Sequence, residues 1–205
     1  MSEAAGAPRL LSALRQTAQI LDDRRRPWAL VGGLAVSVRV EPRFTRDIDL
    51  VVAVADDADA EALVGDLTAA GFTLKVSLEQ QALGRLAAVR VVPPAQGEEG
   101  IVVDLLFASA GIEPEICRDA ERVEIAPGLI IPVARAGHLV AMKVLALAPD
   151  RPQDGIDLRA LVSQLSPEER WRAVAAVARI EILGANRGKA LGTELERWLA
   201  NARLA

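Results

Sequence analysis

Two glycines, Gly32 and Gly33, close the short apolar run Trp28-Ala29-Leu30-Val31, and thirteen residues later Asp47 and Asp49 open a second one, Asp47-Ile48-Asp49-Leu50-Val51-Val52. Side chains on a β-strand alternate faces, so Asp47 and Asp49 point the same way while Ile48 turns into the core. Two carboxylates this close repel each other unless a cation lies between them. An all-oxygen pair suits Mg²⁺, which binds through one or two carboxylates together with substrate phosphates. The glycine pair permits close backbone approach to a ligand, and the free N–H groups at a helix start attract anions. A carboxylate pair facing a phosphate cradle is the equipment for transferring a nucleotide.

Asp104 interrupts the apolar run Ile101-Val102-Val103-Asp104-Leu105-Leu106-Phe107. A carboxylate inside such a strand is costly unless it is paired or bound to metal, which makes it a candidate third ligand or base. Lys143 lies in the apolar stretch from Leu139 to Leu147, where a lysine either snorkels to the surface or aims at a site. Asp154 and Asp157 are three residues apart and share one face of a helix; Asp154 reads more readily as a helix cap than as a catalytic group. Arg151, just upstream, suits a phosphate or an acidic partner. His138 is the only histidine and reads as an exposed or capping residue. The chain has no Cys/His metal-binding spacing, and Cys117 is its only cysteine, so no internal disulfide forms and a reducing compartment fits. Trp28, Trp171 and Trp198 are most simply core residues.

Val31-Gly32-Gly33 followed by Arg43-Phe44-Thr45-Arg46-Asp47-Ile48-Asp49-Leu50 resembles the signature of the DNA polymerase β-like nucleotidyltransferases, and within them the AbiEii type, the toxin components of type IV toxin–antitoxin systems. Val103-Asp104-Leu105-Leu106-Phe107, Leu139-Val140-Ala141-Met142-Lys143 and Arg151-Pro152-Gln153-Asp154-Gly155-Ile156-Asp157-Leu158 resemble later segments of the same family, in the same order, over roughly residues 28–165. The resemblance implies that Asp47, Asp49 and Asp104 hold two Mg²⁺ ions, with Mn²⁺ as the alternative. It implies that Gly32, Gly33, Lys143 and one or both of Arg43 and Arg46 bind the triphosphate of an NTP, and that Lys143 and Asp157 belong with the catalytic residues. It further implies transfer of an NMP to an acceptor hydroxyl, with tRNA as the acceptor, and a cognate antitoxin as partner. The sequence departs from many relatives by carrying Gly33 where they have a serine whose hydroxyl can touch a phosphate. Two alternatives stay open: nucleotidylation of a protein or of a small molecule such as an aminoglycoside, and a non-catalytic nucleotide-binding or partner module.

The 205 residues suffice for one α/β domain with a helical extension, and half of them are apolar. Aromatic residues are few, tyrosine is absent and the net charge is −4, which argues against stacking platforms and against broad charge-driven nucleic-acid binding. A local cationic patch stays open, because Arg24, Arg25, Arg26, Arg39, Arg43 and Arg46 crowd the region of the motif. The N-terminus lacks the features of a secretory signal and no apolar run spans a bilayer, so a soluble cytoplasmic protein is expected, with no membrane association.

The elements that must carry these residues follow from periodicity. Helices are predicted over 9–23, 33–40, 57–70, 135–147, 154–164, 167–182 and 186–203, and strands over 28–31, 47–54, 72–77, 86–92 and 101–107. The stretch 86–107 reads as a hairpin that brings Asp104 beside the Asp47–Asp49 strand, and 121–133 reads as an added edge hairpin turning at Pro127-Gly128. The fold expected is α/β (α+β), a nucleotidyltransferase core with a mixed sheet flanked by helices over 1–134. A C-terminal helical subdomain over 135–205 would complete the cleft.

Overall fold

The computed structural model describes residues 3–40, 45–80, 85–94 and 100–202. Arg43, which the sequence nominates for phosphate binding, lies outside the described residues. The elements run in the order α1 (Glu3–Asp23), β1 (Trp28–Val31), α2 (Gly32–Arg39), β2 (Asp47–Val52), α3 (Asp57–Ala69), β3 (Thr73–Gln80), β4 (Arg85–Val92), β5 (Val102–Leu106), α4 (Glu113–Asp119), β6 (Glu121–Ala126), β7 (Leu129–Val133), α5 (Ala136–Ala146), α6 (Pro152–Ser163), α7 (Pro167–Ile182) and α8 (Leu191–Asn201). Among the described residues the seven strands form one mixed sheet in the order β3-β4-β5-β2-β1-β7-β6.

The centre of the sheet holds the motif. β1 is buried along its whole length and pairs antiparallel with β2, which sets Val31 opposite Asp49. β2 pairs parallel with β5, which sets Asp49 opposite Asp104, and β4 pairs antiparallel with β5, which sets Arg90 opposite Asp104. Alternation then does the sorting: Ile48, Val103 and Leu105 are fully buried, while Asp47, Asp49 and Asp104 turn to the other face. The β6–β7 hairpin sits at the sheet edge, as expected, turning where Gly128 takes a φ of +69° and its N–H donates to the Glu124 carboxylate.

The helices close the core. Asp56 and Ser166 accept N-cap hydrogen bonds from Asp59 and Glu169, starting α3 and α7 where polar residues precede apolar periodicity. One apolar cluster runs from the strands (Leu30, Leu50, Leu105) into the C-terminal helices (Leu139, Val144, Leu161, Val177). Three features differ from the sequence pattern. The helix α4 is unpredicted, since seven residues are too short to show a 3.6-residue period. The last helix begins at Leu191 instead of 186, because Arg187 and Gly188 take left-handed backbone conformations (φ +54° and +72°) that no helix continues. The first helix starts earlier, at Glu3, with Pro8 inside it.

Candidate active site

The short β1 strand delivers the chain to Gly32, whose φ of +64° turns it sharply into α2. Glycine is required there on two grounds. The left-handed conformation disfavours a Cβ, and a Cβ at this position would collide with the Asp49 carboxylate. The Gly33 N–H, in the first turn of the same helix, hydrogen-bonds to that carboxylate. The two halves of the motif therefore touch: the glycine pair exists so that Asp49 can lie against the start of α2.

Asp49 is strained electrostatically. Burial first, and then the charges of Asp104 and Asp47, push its carboxyl from an ordinary 3.8 up to about 6, while Lys143 and the Gly33 N–H pull the other way. At Asp49, burial and the two neighbouring carboxylates on the same sheet face thus outweigh the Lys143 charge and the Gly33 N–H. Asp104 is the best compensated of the three. Arg90 donates to both its oxygens, Nε to Oδ1 at 2.8 Å and Nη2 to Oδ2 at 2.7 Å, and this pairing holds the guanidinium proton more tightly than usual. Asp47 follows Thr45, whose hydroxyl donates to the Asp47 carbonyl at 3.3 Å, and its side chain is exposed.

Opposite the sheet stands Lys143 of α5. Its ammonium lies 2.6 Å from Asp154 Oδ1 and 2.7 Å from Asp157 Oδ2, both on α6. Asp154 also pairs with Arg151 Nε at 2.8 Å, and Gln153 Nε2 donates to Asp157 Oδ1 at 2.9 Å. Asp154 makes no cap bond to its own helix, so the capping role read from the sequence is replaced by a clamp on Lys143. Lys143 neither snorkels free nor stands alone; it is held at the cleft between two buried carboxylates.

A cleft of about 1030 Å³ lies between these two groups, and Gly32, Gly33, Arg46, Asp47, Asp49, Asp104 and Lys143 all line it. Asp157 does not line it: at 1% exposure it sits behind Lys143 and acts through that side chain. The sequence missed Arg90, which lines the cleft beside Asp104, and Arg187, which reaches it from the loop before α8 with Nη2 donating to the Ser109 carbonyl.

Other residues of the sequence reading fall elsewhere. Arg24 pairs with Asp66 and Arg26 with Asp59, both on α3, ahead of β1 and away from the glycine turn. Arg39 donates to the Val133 and Ala134 carbonyls and pairs with Glu121, stapling α2 to the β6–β7 edge. His138 is neither exposed nor a cap; it is fully buried, its Nε2 lies 3.4 Å from Glu115 Oε1, and burial lowers its pKa. Cys117 is pushed up to about 12, chiefly by burial, which disfavours a thiolate. Trp28 is a core residue with its N–H on Asp22, but Trp171 stands 69% exposed, and Trp198 is only partly buried.

Two acidic clusters bear on metal binding. Glu115, Asp119 and His138 bring ligand atoms within 4.8 Å of one another, a spacing that could hold an ion. Arg172 lies 3.1 Å from Asp119 and Arg118 lies 2.9 Å from it, so an ion there would compete with two guanidiniums, as one at Asp104 would with Arg90. The Asp47, Asp49 and Asp104 set is hard oxygen throughout, and its uncompensated charge at Asp49 is what a divalent ion would relieve. No described helix is long and apolar enough to cross a membrane.

Comparison with known proteins gives the family and the fold. The family described as "Nucleotidyl transferase AbiEii toxin, Type IV TA system" matches residues 18–201. Comparison with curated proteins gives no match. Among solved structures, an antigenic nucleotidyltransferase-like protein from Paracoccidioides brasiliensis superposes with a TM-score of 0.53 at 16% identity, covering 90% of this chain and 94% of its own. ANT(2″)-Ia in complex with adenylyl-2″-tobramycin gives 0.54 at 14% identity, covering 82% and 97%. A nucleotidyltransferase-class protein from Thermotoga maritima gives 0.50 at 16%, covering 77% and 95%. These likenesses establish the fold, and the family match extends over most of the chain: the protein belongs to the AbiEii nucleotidyl transferase family of type IV TA systems and is a nucleotidyltransferase, moving an NMP to an acceptor.

Proposed function

We propose that this cleft transfers an NMP from an NTP to an acceptor hydroxyl with the help of two Mg²⁺ ions, that the acceptor is tRNA, and that a cognate antitoxin restrains the protein as a type IV toxin. The observation that carries the reading is the close contact of Gly32 with Asp49, in register with Asp104 on the neighbouring strand. Residues 1–134 form the catalytic core in this reading, and 135–205 supply the helical wall that carries Lys143.

The residues divide the work as follows. Asp47 and Asp49 hold the divalent ions, with Asp104 as third ligand or as the base that takes the acceptor proton. Held there, such ions would supply positive charge against the negative charge that develops on the transferring phosphate. The Gly33 N–H is held by Asp49, and the other N–H groups at the start of α2 would meet phosphate oxygens. Lys143, fixed by Asp154 and Asp157, directs its ammonium at the triphosphate, and Arg46 supplies further positive charge. The acceptor oxygen attacks the α-phosphorus, the bond to the bridging oxygen breaks, and pyrophosphate leaves.

The cleft wall supports an anionic acceptor over an aminoglycoside. Arg46, Arg90, Arg151 and Arg187 all line it; Arg90 pairs with Asp104 and Arg151 with Asp154, so with ions on the three metal-binding carboxylates the arginines outnumber the remaining acids, Asp150 and Asp154. A polycationic drug would meet these arginines unfavourably, whereas an RNA backbone would not. The test is transfer of label from each α-labelled NTP, with Mg²⁺, to total tRNA, to protein and to an aminoglycoside. Label on tRNA supports the reading. Label on the aminoglycoside or on protein replaces the acceptor, and no label on any of the three overturns the tRNA reading and leaves another small-molecule acceptor or a non-catalytic role.

A further inference from the structure

Arg90, Asp104, Asp49 and Val31 form one row across β4, β5, β2 and β1, each register partner of the next. Within this row Arg90 is the cation nearest the carboxylates. Among the described residues its hydrogen bonds go to Asp104 alone, and they occupy both of that carboxylate's oxygens. The two side chains are unequally enclosed, Arg90 at 48% exposed and Asp104 at 18%. The guanidinium can therefore leave into the cleft while the carboxylate stays in place.

We propose that Arg90 is a built-in counter-cation for Asp104 that a divalent ion must displace, so that this arginine sets how tightly the site takes up metal. The inference rests on the metal reading given above. A divalent ion on Asp104 would lie within contact distance of oxygens that already carry a full positive charge on their other side. Two cations on one carboxylate in a partly enclosed cleft repel strongly. Arg90 thus stabilises the metal-free protein, where three clustered carboxylates would otherwise stand with less compensation, and opposes metal loading at Asp104. A purely structural role, in which Arg90 orients Asp104 for the ion, has the opposite consequence, because removing it would then weaken metal binding.

The experiment is a Mn²⁺ titration of the whole chain without nucleotide, read by the EPR signal of free Mn²⁺ and by calorimetry. Wild type, Arg90→Met, Arg90→Lys, Asp104→Asn and the Arg90→Met/Asp104→Asn double variant are compared, each checked by thermal unfolding. Arg90→Met should bind Mn²⁺ about tenfold more tightly or better, and Arg90→Lys, which keeps the charge and loses the two-point grip, should fall between. In the Asp104→Asn background the Arg90 substitution should change nothing further, since its target is gone. An Arg90→Met affinity equal to or below that of wild type overturns the inference and leaves the metal reading standing. A wild type that takes up no Mn²⁺ at millimolar concentration overturns both.

Discussion

Replacing Asp49 by asparagine should stabilise the metal-free protein while abolishing its activity. The carboxyl of Asp49 is pushed from 3.8 to about 6 by burial and by its neighbours Asp104 and Asp47. That difference of roughly two units, at 1.36 kcal/mol each, sets an upper bound of about 3 kcal/mol for the cost of ionising the group in the folded state. Asparagine is nearly isosteric and its carbonyl oxygen can still accept the Gly33 N–H, so the variant keeps the geometry and loses the charge. A gain of about 1–3 kcal/mol at pH 7.5 in EDTA follows, which for a chain of this size is on the order of 3–10 °C in Tm. The sign of the pH dependence is fixed by the same shift. A raised carboxyl pKa means the folded state binds the proton more tightly than the unfolded one, so wild-type stability at this site falls as pH rises from about 4 to about 6 and is level above. The difference between Asp49→Asn and wild type should therefore be small at pH 4, open across that interval and stay open. Saturating Mg²⁺ should stabilise the wild type at pH 7.5 and leave the variant unmoved. Chemical denaturation at a series of pH values reads all of this. An Asp49→Asn protein less stable than wild type at pH 7.5, or a difference independent of pH, would refute the electrostatic reasoning.

Gly32→Ala should cost about 1–2 kcal/mol from the left-handed backbone alone and more from the collision with Asp49, with activity lost, as denaturant melts and turnover will show. Lys143→Met leaves Asp154 and Asp157 buried without their shared cation and should destabilise by about 3–5 kcal/mol, whereas the triple change that also makes both aspartates asparagine should recover part of that loss in the same melts. Trp171→Ser should leave stability within about 0.5 kcal/mol and turnover unchanged, because the indole is 69% exposed and away from the cleft.

The parts of this site that the sequence made legible are those fixed by local chemistry. A glycine pair at a strand end and two aspartates at period two specify a turn and a face without reference to the rest of the chain. Asp104 was legible because the proline and glycine turn signals after β4 predict a strand that pairs back on it, and β5 does pair with β4 on one edge and with β2 on the other. Arg90 was not, since its register with Asp104 depends on the length of that connection. The clamp of Asp154 and Asp157 on Lys143 was hidden for a similar reason: spacing shows that the aspartates share a face of α6 but not that α5 crosses it. The burial of His138 and the exposure of Trp171 are outcomes of helix docking, where residue type gives only a bias. Arg24 and Arg26 crowd the motif in sequence but belong to a different end of β1 in space.

The proposal rests on Asp47 and Asp49, the latter set against Gly32, forming a divalent-ion site that drives nucleotidyl transfer. Pyrophosphate release from an NTP, followed with and without Mg²⁺ in the presence of total tRNA, tests it most directly when Asp47→Ala and Asp49→Ala are run beside the wild type. The account predicts release that requires Mg²⁺ and falls by at least about a hundredfold in each variant, in the range expected for losing electrostatic stabilisation of the transferring group. Release that persists in EDTA, or in both variants, would contradict it.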